Sequence, residues 1–141
     1  MENILRISKT ENTVQKAAAW SLAFMMVVFG LNKFLGFIPV APPADATAQQ
    51  FMGTMFSSYL FVVVALAEMI GGLLLVMPKT RFVGWLLLAP VIFNIVAFHI
   101  AHDFIGNGIW LIPTAIFVAL GFFERQNISS LTQLNNSTHE K

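Results

Sequence analysis

Glu68 is the residue whose position most demands an explanation. It interrupts an apolar run from Met55 to Met77 that is otherwise broken only by Ser57 and Ser58. An ionised carboxylate at the centre of a bilayer costs at least about 2.5–3.5 kcal/mol on insertion scales. Such a group faces a protein interior and takes a partner, or it keeps its proton. Val64 and Ala65 lie one helical turn before Glu68, and Gly71 and Gly72 lie one turn after. Small residues on that stripe let a second helix approach closely, which aims Glu68 at a helix interface. Lys33, near the far end of another apolar run, is its natural partner, and the alternative for Lys33 is to snorkel towards water. Asn32 beside it offers an additional hydrogen-bond donor.

A second group of polar residues closes the third apolar run: Asn94, His99, His102 and Asp103. At about 100° per residue, His102 falls near 80° and His99 near 140° from Asn94, so all three share one broad helical face. Asp103 stands four residues after His99 and can accept from its ring, fixing the tautomer. Ligand or proton binding is the chemistry these types suit. A metal site is not expected, because the two histidines lack an obvious third ligand apart from Asp103 or Glu68. Haem ligation by both is worse, since one helix face cannot reach opposite sides of a macrocycle.

The elements that must position these groups are four apolar runs, roughly Ala17 to Phe37, Met55 to Met77, Phe82 to Ala101 and Gly108 to Phe123. About 20 residues at 1.5 Å each cross a bilayer core of roughly 30 Å. The expected fold is all-α: a polytopic membrane four-helix bundle over residues 17–123. Residues 1–16 form a cytoplasmic N-terminal segment, and residues 124–141 form a polar cytoplasmic tail that is frayed or disordered. In the first loop, about Ile38 to Thr54, the Thr47-Ala48-Gln49-Gln50 sequence can cap a helix start. Phe51, Met52, Met55 and Phe56 follow at helical spacing, so a short interfacial helix is expected to lead into the second span. Pro90 and Pro113 can bend spans three and four and free backbone carbonyls.

Composition agrees. Of 141 residues, 57% are hydrophobic and 11% charged, with a net charge of +1 and no cysteine. Mean hydropathy is +0.74. An ordinary globular chain carries about 25% charged residues, so a soluble monomer is disfavoured. No nucleic-acid partner is suggested, and thiol chemistry is excluded. Arg6, Lys9, Lys16, Lys79, Arg81, Arg125 and Lys141 fall on one side of the four spans, and only Lys33 lies towards the other. The positive-inside rule then places both termini in the cytoplasm. A cleaved leader is the rival reading of the first run, but the Ala46-Thr47-Ala48 triplet lies well beyond that run and Asn32-Lys33 interrupts the approach.

On these assignments Asn32, Lys33, Asn94, His99, His102 and Asp103 share the outer half with Trp110 and Thr114, and Glu68 forms the floor. That is the pattern of an outward-opening polar cavity. With 14 phenylalanines in the chain, aromatic walls around a few polar groups would suit a lipophilic ring such as a quinone.

Two segments carry a family resemblance. Gly30-Leu31-Asn32-Lys33-Phe34 resembles the Gly-x-x-Lys element of DoxX-like small membrane proteins. Ala67-Glu68-Met69-Ile70-Gly71-Gly72-Leu73-Leu74-Leu75 resembles that family's Glu-x-x-Gly-Gly-Leu segment, and the basic turn Pro78-Lys79-Thr80-Arg81 follows as it does there. The likeness spans about residues 15 to 124; the run from Asn94 to His99 is similar to only a subset of the family. It implies a four-helix membrane bundle, with Lys33 and Glu68 as site candidates and an association with quinone-linked oxidoreductase systems. The chain has no flavin or nicotinamide fingerprint, so a bound quinone or a partner protein would have to carry electrons. Three functions follow as expectations: a subunit or accessory component of a quinone-linked redox system, a small proton-coupled transporter, or a non-catalytic assembly subunit. A membrane protein partner or a homo-oligomer fits the first and third. Whether the chain is itself an enzyme is left open by its residues.

Overall fold

The computed structural model describes residues 13–102 and 108–138, with only the backbone course given for 126–138. The described residues form five helices and no strand: α1 (Thr13–Leu35), α2 (Ala46–Ser57), α3 (Tyr59–Val76), α4 (Arg81–His102) and α5 (Leu111–Thr138). Three of them, α1, α3 and α4, are long and apolar enough to cross a membrane by length and composition. The chain is on that basis an integral membrane protein with an all-helical fold. A helix is what the physics requires, because hydrocarbon offers the backbone no hydrogen-bond partner and every N–H and C=O must be satisfied within the segment.

Helix α3 packs against both α1 and α4, and α5 closes the arrangement by packing on α1 and α4 as well. The shared core holds Ala19, Leu22, Ala23 and Met26 of α1, Leu75 of α3, Leu88 and Ile92 of α4, and Leu120 of α5. The two adjacent glycines of α3 serve opposite neighbours. A Cβ on Gly72 would stand 3.0 Å from the Ala23 carbonyl oxygen of α1, whereas one on Gly71 would stand 2.7 Å from the Leu88 side chain of α4. Gly84 answers from α4, where a Cβ would come within 2.7 Å of the Gly71 carbonyl oxygen. Close approach of the three backbones is therefore written into consecutive positions of one helix.

The ends of the elements differ from sequence expectation in three places. Helix α2 begins at Ala46, and its N-cap is Asp45, whose Oδ2 accepts from the Ala48 N–H at 2.9 Å. Thr47, expected at the helix start, lies inside the first turn; a carboxylate two residues upstream is the stronger cap. Ser58 ends α2 and starts α3. Its N–H donates to the Met55 carbonyl (3.1 Å), and its Oγ accepts from the Leu60 N–H (3.3 Å). The apolar run from Met55 is thus divided between two helices. The third difference is at the C-terminus: α5 continues to Thr138, so the polar segment from Glu124, expected to be frayed, has a helical backbone. Pro113 falls in the first turn of α5, where the missing N–H has no intrahelical partner to lose, so unlike Pro90 inside α4 it frees no carbonyl within a span.

At the end carrying Arg81, polar groups are buried. Arg81 is 2% exposed and its Nε donates to the Leu75 carbonyl at 3.1 Å. Gln15 of α1 donates to Glu124 of α5 at 3.0 Å. Trp85 stacks on Phe117 at 4.9 Å, and its Nε1 donates to the Phe117 carbonyl at 3.0 Å. These contacts tie α1, α3, α4 and α5 together at the end opposite Lys33.

Candidate functional sites

The candidate residues do not assemble in one place. The first group is an ion pair: Lys33 Nζ stands 2.5 Å from Glu68 Oε2. Glu68 is 2% exposed. Ala65, Gly71 and Gly72 around it are buried too, as the small-residue stripe anticipates. Gly30, one turn before Lys33, faces Ala65 and Glu68, while Gly72 faces Ala23 and Met26. Position rises along α1 as it falls along α3, so the two helices are antiparallel. Side chains on a helix lean towards its N-terminus. Lys33 therefore leans back towards the level of Gly30 and Glu68 leans forward towards Ala65, and the two groups converge.

Asn32 is not a donor to this pair. Its Nδ2 donates to the Ile38 carbonyl (3.0 Å), and its Oδ1 accepts from the Ile38 N–H (2.6 Å). Gly36, at φ 62°, turns the chain between them, and its N–H donates to the Asn32 carbonyl at 2.8 Å. Asn32 closes the C-terminus of α1 and shapes the loop that follows.

The second group lies where α2 meets α4. His102 Nδ1 donates to Asp45 Oδ2 at 3.0 Å, the same oxygen that caps α2. The Ala48 N–H, above all, holds the Asp45 carboxyl below the usual carboxylate range, against an opposing effect of desolvation; His102 and the Thr47 N–H lower it further. His99 Nδ1 donates to the Ile95 carbonyl of its own helix at 2.8 Å. Asp103, the partner expected for His99, lies outside the described residues. Rings continue across the helices: Phe51 of α2 contacts Phe98 (5.8 Å), Phe98 contacts His99 (5.5 Å), and His99 stacks on Trp110 (5.3 Å) ahead of α5. Thr114 donates to the Trp110 carbonyl at 2.8 Å.

Beside this cluster is a surface groove of about 190 Å³, lined by Phe51, Asn94, Ala97, Phe98, Ala101 and His102. Asn94 is exposed and forms part of that wall. The expected single cavity with Glu68 as its floor is therefore two separate features. Helices α3 and α4 are joined by a short turn and run antiparallel, with Gly71 against Gly84. From that level Glu68 is roughly 4–5 Å away along α3, whereas His102 is roughly 27 Å away along α4.

Asp45 was not among the residues singled out by sequence, yet it is the second member of the dyad. Its signal was available: it is one of seven acidic residues in the chain, set just after Pro42-Pro43 and three positions before Ala48, the spacing of an N-cap. Among the described residues no three His, Asp or Glu side chains come together as a metal site would need.

No family model matches this chain, and no match is found among curated proteins or solved structures. The functional reading therefore rests on the two polar features themselves.

Proposed function

We propose that the chain is a DoxX-like four-span protein of a bacterial inner membrane and a membrane component of a quinone-linked redox system. In this reading both termini are cytoplasmic, following the basic residues, and α2 lies in the outer interface. The apolar part of α5, residues 111–123, supplies a short fourth span of roughly 20 Å. One observation carries the functional part: the groove between α2 and α4, with phenyl walls from Phe51 and Phe98 and polar groups only at Asn94 and His102. Aromatic walls beside two polar side chains suit a ring that carries oxygen substituents.

The test is purification from native membranes followed by extraction and mass spectrometry of bound quinone. Wild-type protein should retain quinone, and Ala97→Trp, which fills the groove, should lose it. Quinone-free wild-type protein, or equal retention by the variant, would overturn the reading.

A second reading, the assembly subunit, is favoured by the Lys33–Glu68 pair, which leaves Glu68 engaged in holding α1 to α3. The same pairing argues against a proton-coupled transporter. Such a device needs a membrane carboxylate that exchanges its proton with one side, and Glu68 is buried and closed by Lys33.

A further inference from the structure

We infer that the groove between α2 and α4 is a binding site for a small lipophilic phenol, whose hydroxyl donates to His102 Nε2 while Asp45 holds the ring in the tautomer that leaves Nε2 able to accept. A neutral imidazole has one donor nitrogen and one acceptor nitrogen. With Nδ1 donating to Asp45 Oδ2, the neutral ring leaves Nε2 as its acceptor. The carboxylate cannot turn away easily, because the same oxygen also caps α2 through the Ala48 N–H. The dyad is thus fixed by secondary structure at the Asp45 end, and His102 is one of the residues that line the groove.

Size and charge narrow the ligand. An apolar cavity of about 150 Å³ takes a benzene ring, so about 190 Å³ accommodates one ring with small substituents. Anionic ligands are disfavoured by the Asp45 carboxylate beside His102. A carbonyl or an ether offers no donor to Nε2, whereas a ring hydroxyl does. Asn94 lies roughly 12 Å back along α4, farther than the two oxygens of one ring, so recognition falls to a single hydroxyl at His102. Hydroquinone is a phenol, and in that case the inference rests on the quinone-linked reading above and specifies the reduced form as the one bound.

The experiment uses the full chain in lipid nanodiscs, with para-propylphenol and its methyl ether as probes and binding corrected for uptake by empty discs. The phenol should bind about tenfold more tightly than the ether, the order of one hydrogen bond. The ¹⁵N signal of His102 Nε2 should shift with the phenol and not with the ether. His102→Phe keeps a ring and removes the acceptor, and should bring the two probes within about twofold of each other. Asp45→Ser keeps an N-cap but is too short for His102, and should do the same. Asp45→Asn, whose carbonyl oxygen can serve both bonds, should restore the preference. Equal binding of the two probes to wild type, binding of neither, or a preference that survives His102→Phe would overturn the inference. A phenol preference in a protein that carries no quinone would leave this site standing and remove the quinone-linked reading. Quinone retention sensitive to Ala97→Trp, without a phenol preference, would do the reverse.

Discussion

Lys33 and Glu68 meet at 2.5 Å although they lie on different helices and neither is level with the other. Antiparallel packing of α1 on α3 makes each side chain lean towards its partner. The Lys33 side chain is 19% exposed and that of Glu68 3%, so the pair is largely removed from water.

Breaking such a pair from one side leaves a buried charge, which costs on the order of 3–5 kcal/mol. Lys33→Met or Glu68→Gln alone should therefore destabilise strongly in a detergent denaturation series. The double substitution Lys33→Met with Glu68→Met should recover most of the loss, because well-packed apolar groups of similar size replace an ion pair at little cost. Additive losses in this double-mutant cycle would show that the two groups act independently.

The glycines separate into two classes. Gly84→Ala places a methyl against the backbone, 2.7 Å from the Gly71 carbonyl oxygen and 3.0 Å from the Leu75 nitrogen, so α3 and α4 must part. A loss of about 1–3 kcal/mol is expected, the usual range for overpacking. Gly53 of α2 has nothing within 4 Å of a Cβ, so Gly53→Ala should be neutral or stabilising by up to about 1 kcal/mol through helix propensity. Thermal unfolding should shift down for Gly84→Ala and should hold or rise for Gly53→Ala.

Gly36 tests the backbone alone. Its φ of 62° lies in the left-handed region, and a Cβ there meets nothing. Gly36→Val should cost about 1–2 kcal/mol from conformation only, and Gly36→Asn should cost less, since Asn tolerates that region. Comparable losses for both would point to a steric cause. Asn32→Ala, which removes both bonds to Ile38, should loosen the same loop.

Acid should release α2. The Asp45 carboxyl is held below the usual range chiefly by the Ala48 N–H. A depressed folded-state pKa contributes stability that is complete above the unfolded carboxylate's pKa and is lost as pH falls through the lower folded value. Amide-exchange protection at Ala48 should therefore hold from neutral pH down to about 4 and decline below it. A decline already complete at neutral pH would show that the Asp45 carboxylate does not control this end of α2.

The sequence by itself determined the class of protein and most of its helices. Apolar runs of bilayer length with a backbone that must satisfy itself leave few alternatives to helices, so α1, α3 and α4 were legible to within a few residues of their ends. It also singled out Glu68 and Lys33, because a charge within an apolar run must be compensated. What it could not determine was anything that depends on how the helices meet. Lys33 was the natural partner of Glu68 in sequence, with snorkelling as its alternative, and the two meet because α1 and α3 run antiparallel at the spacing Gly30 and Gly72 allow. His102 and Asp45 lie 57 positions apart, and no periodicity links an N-cap in a loop to the last turn of a distant helix. The tertiary structure alone decided that the polar residues divide into a buried lock and a separate dyad at a groove, because interhelical register, unlike hydrophobic length, is set by packing between surfaces that one segment does not encode.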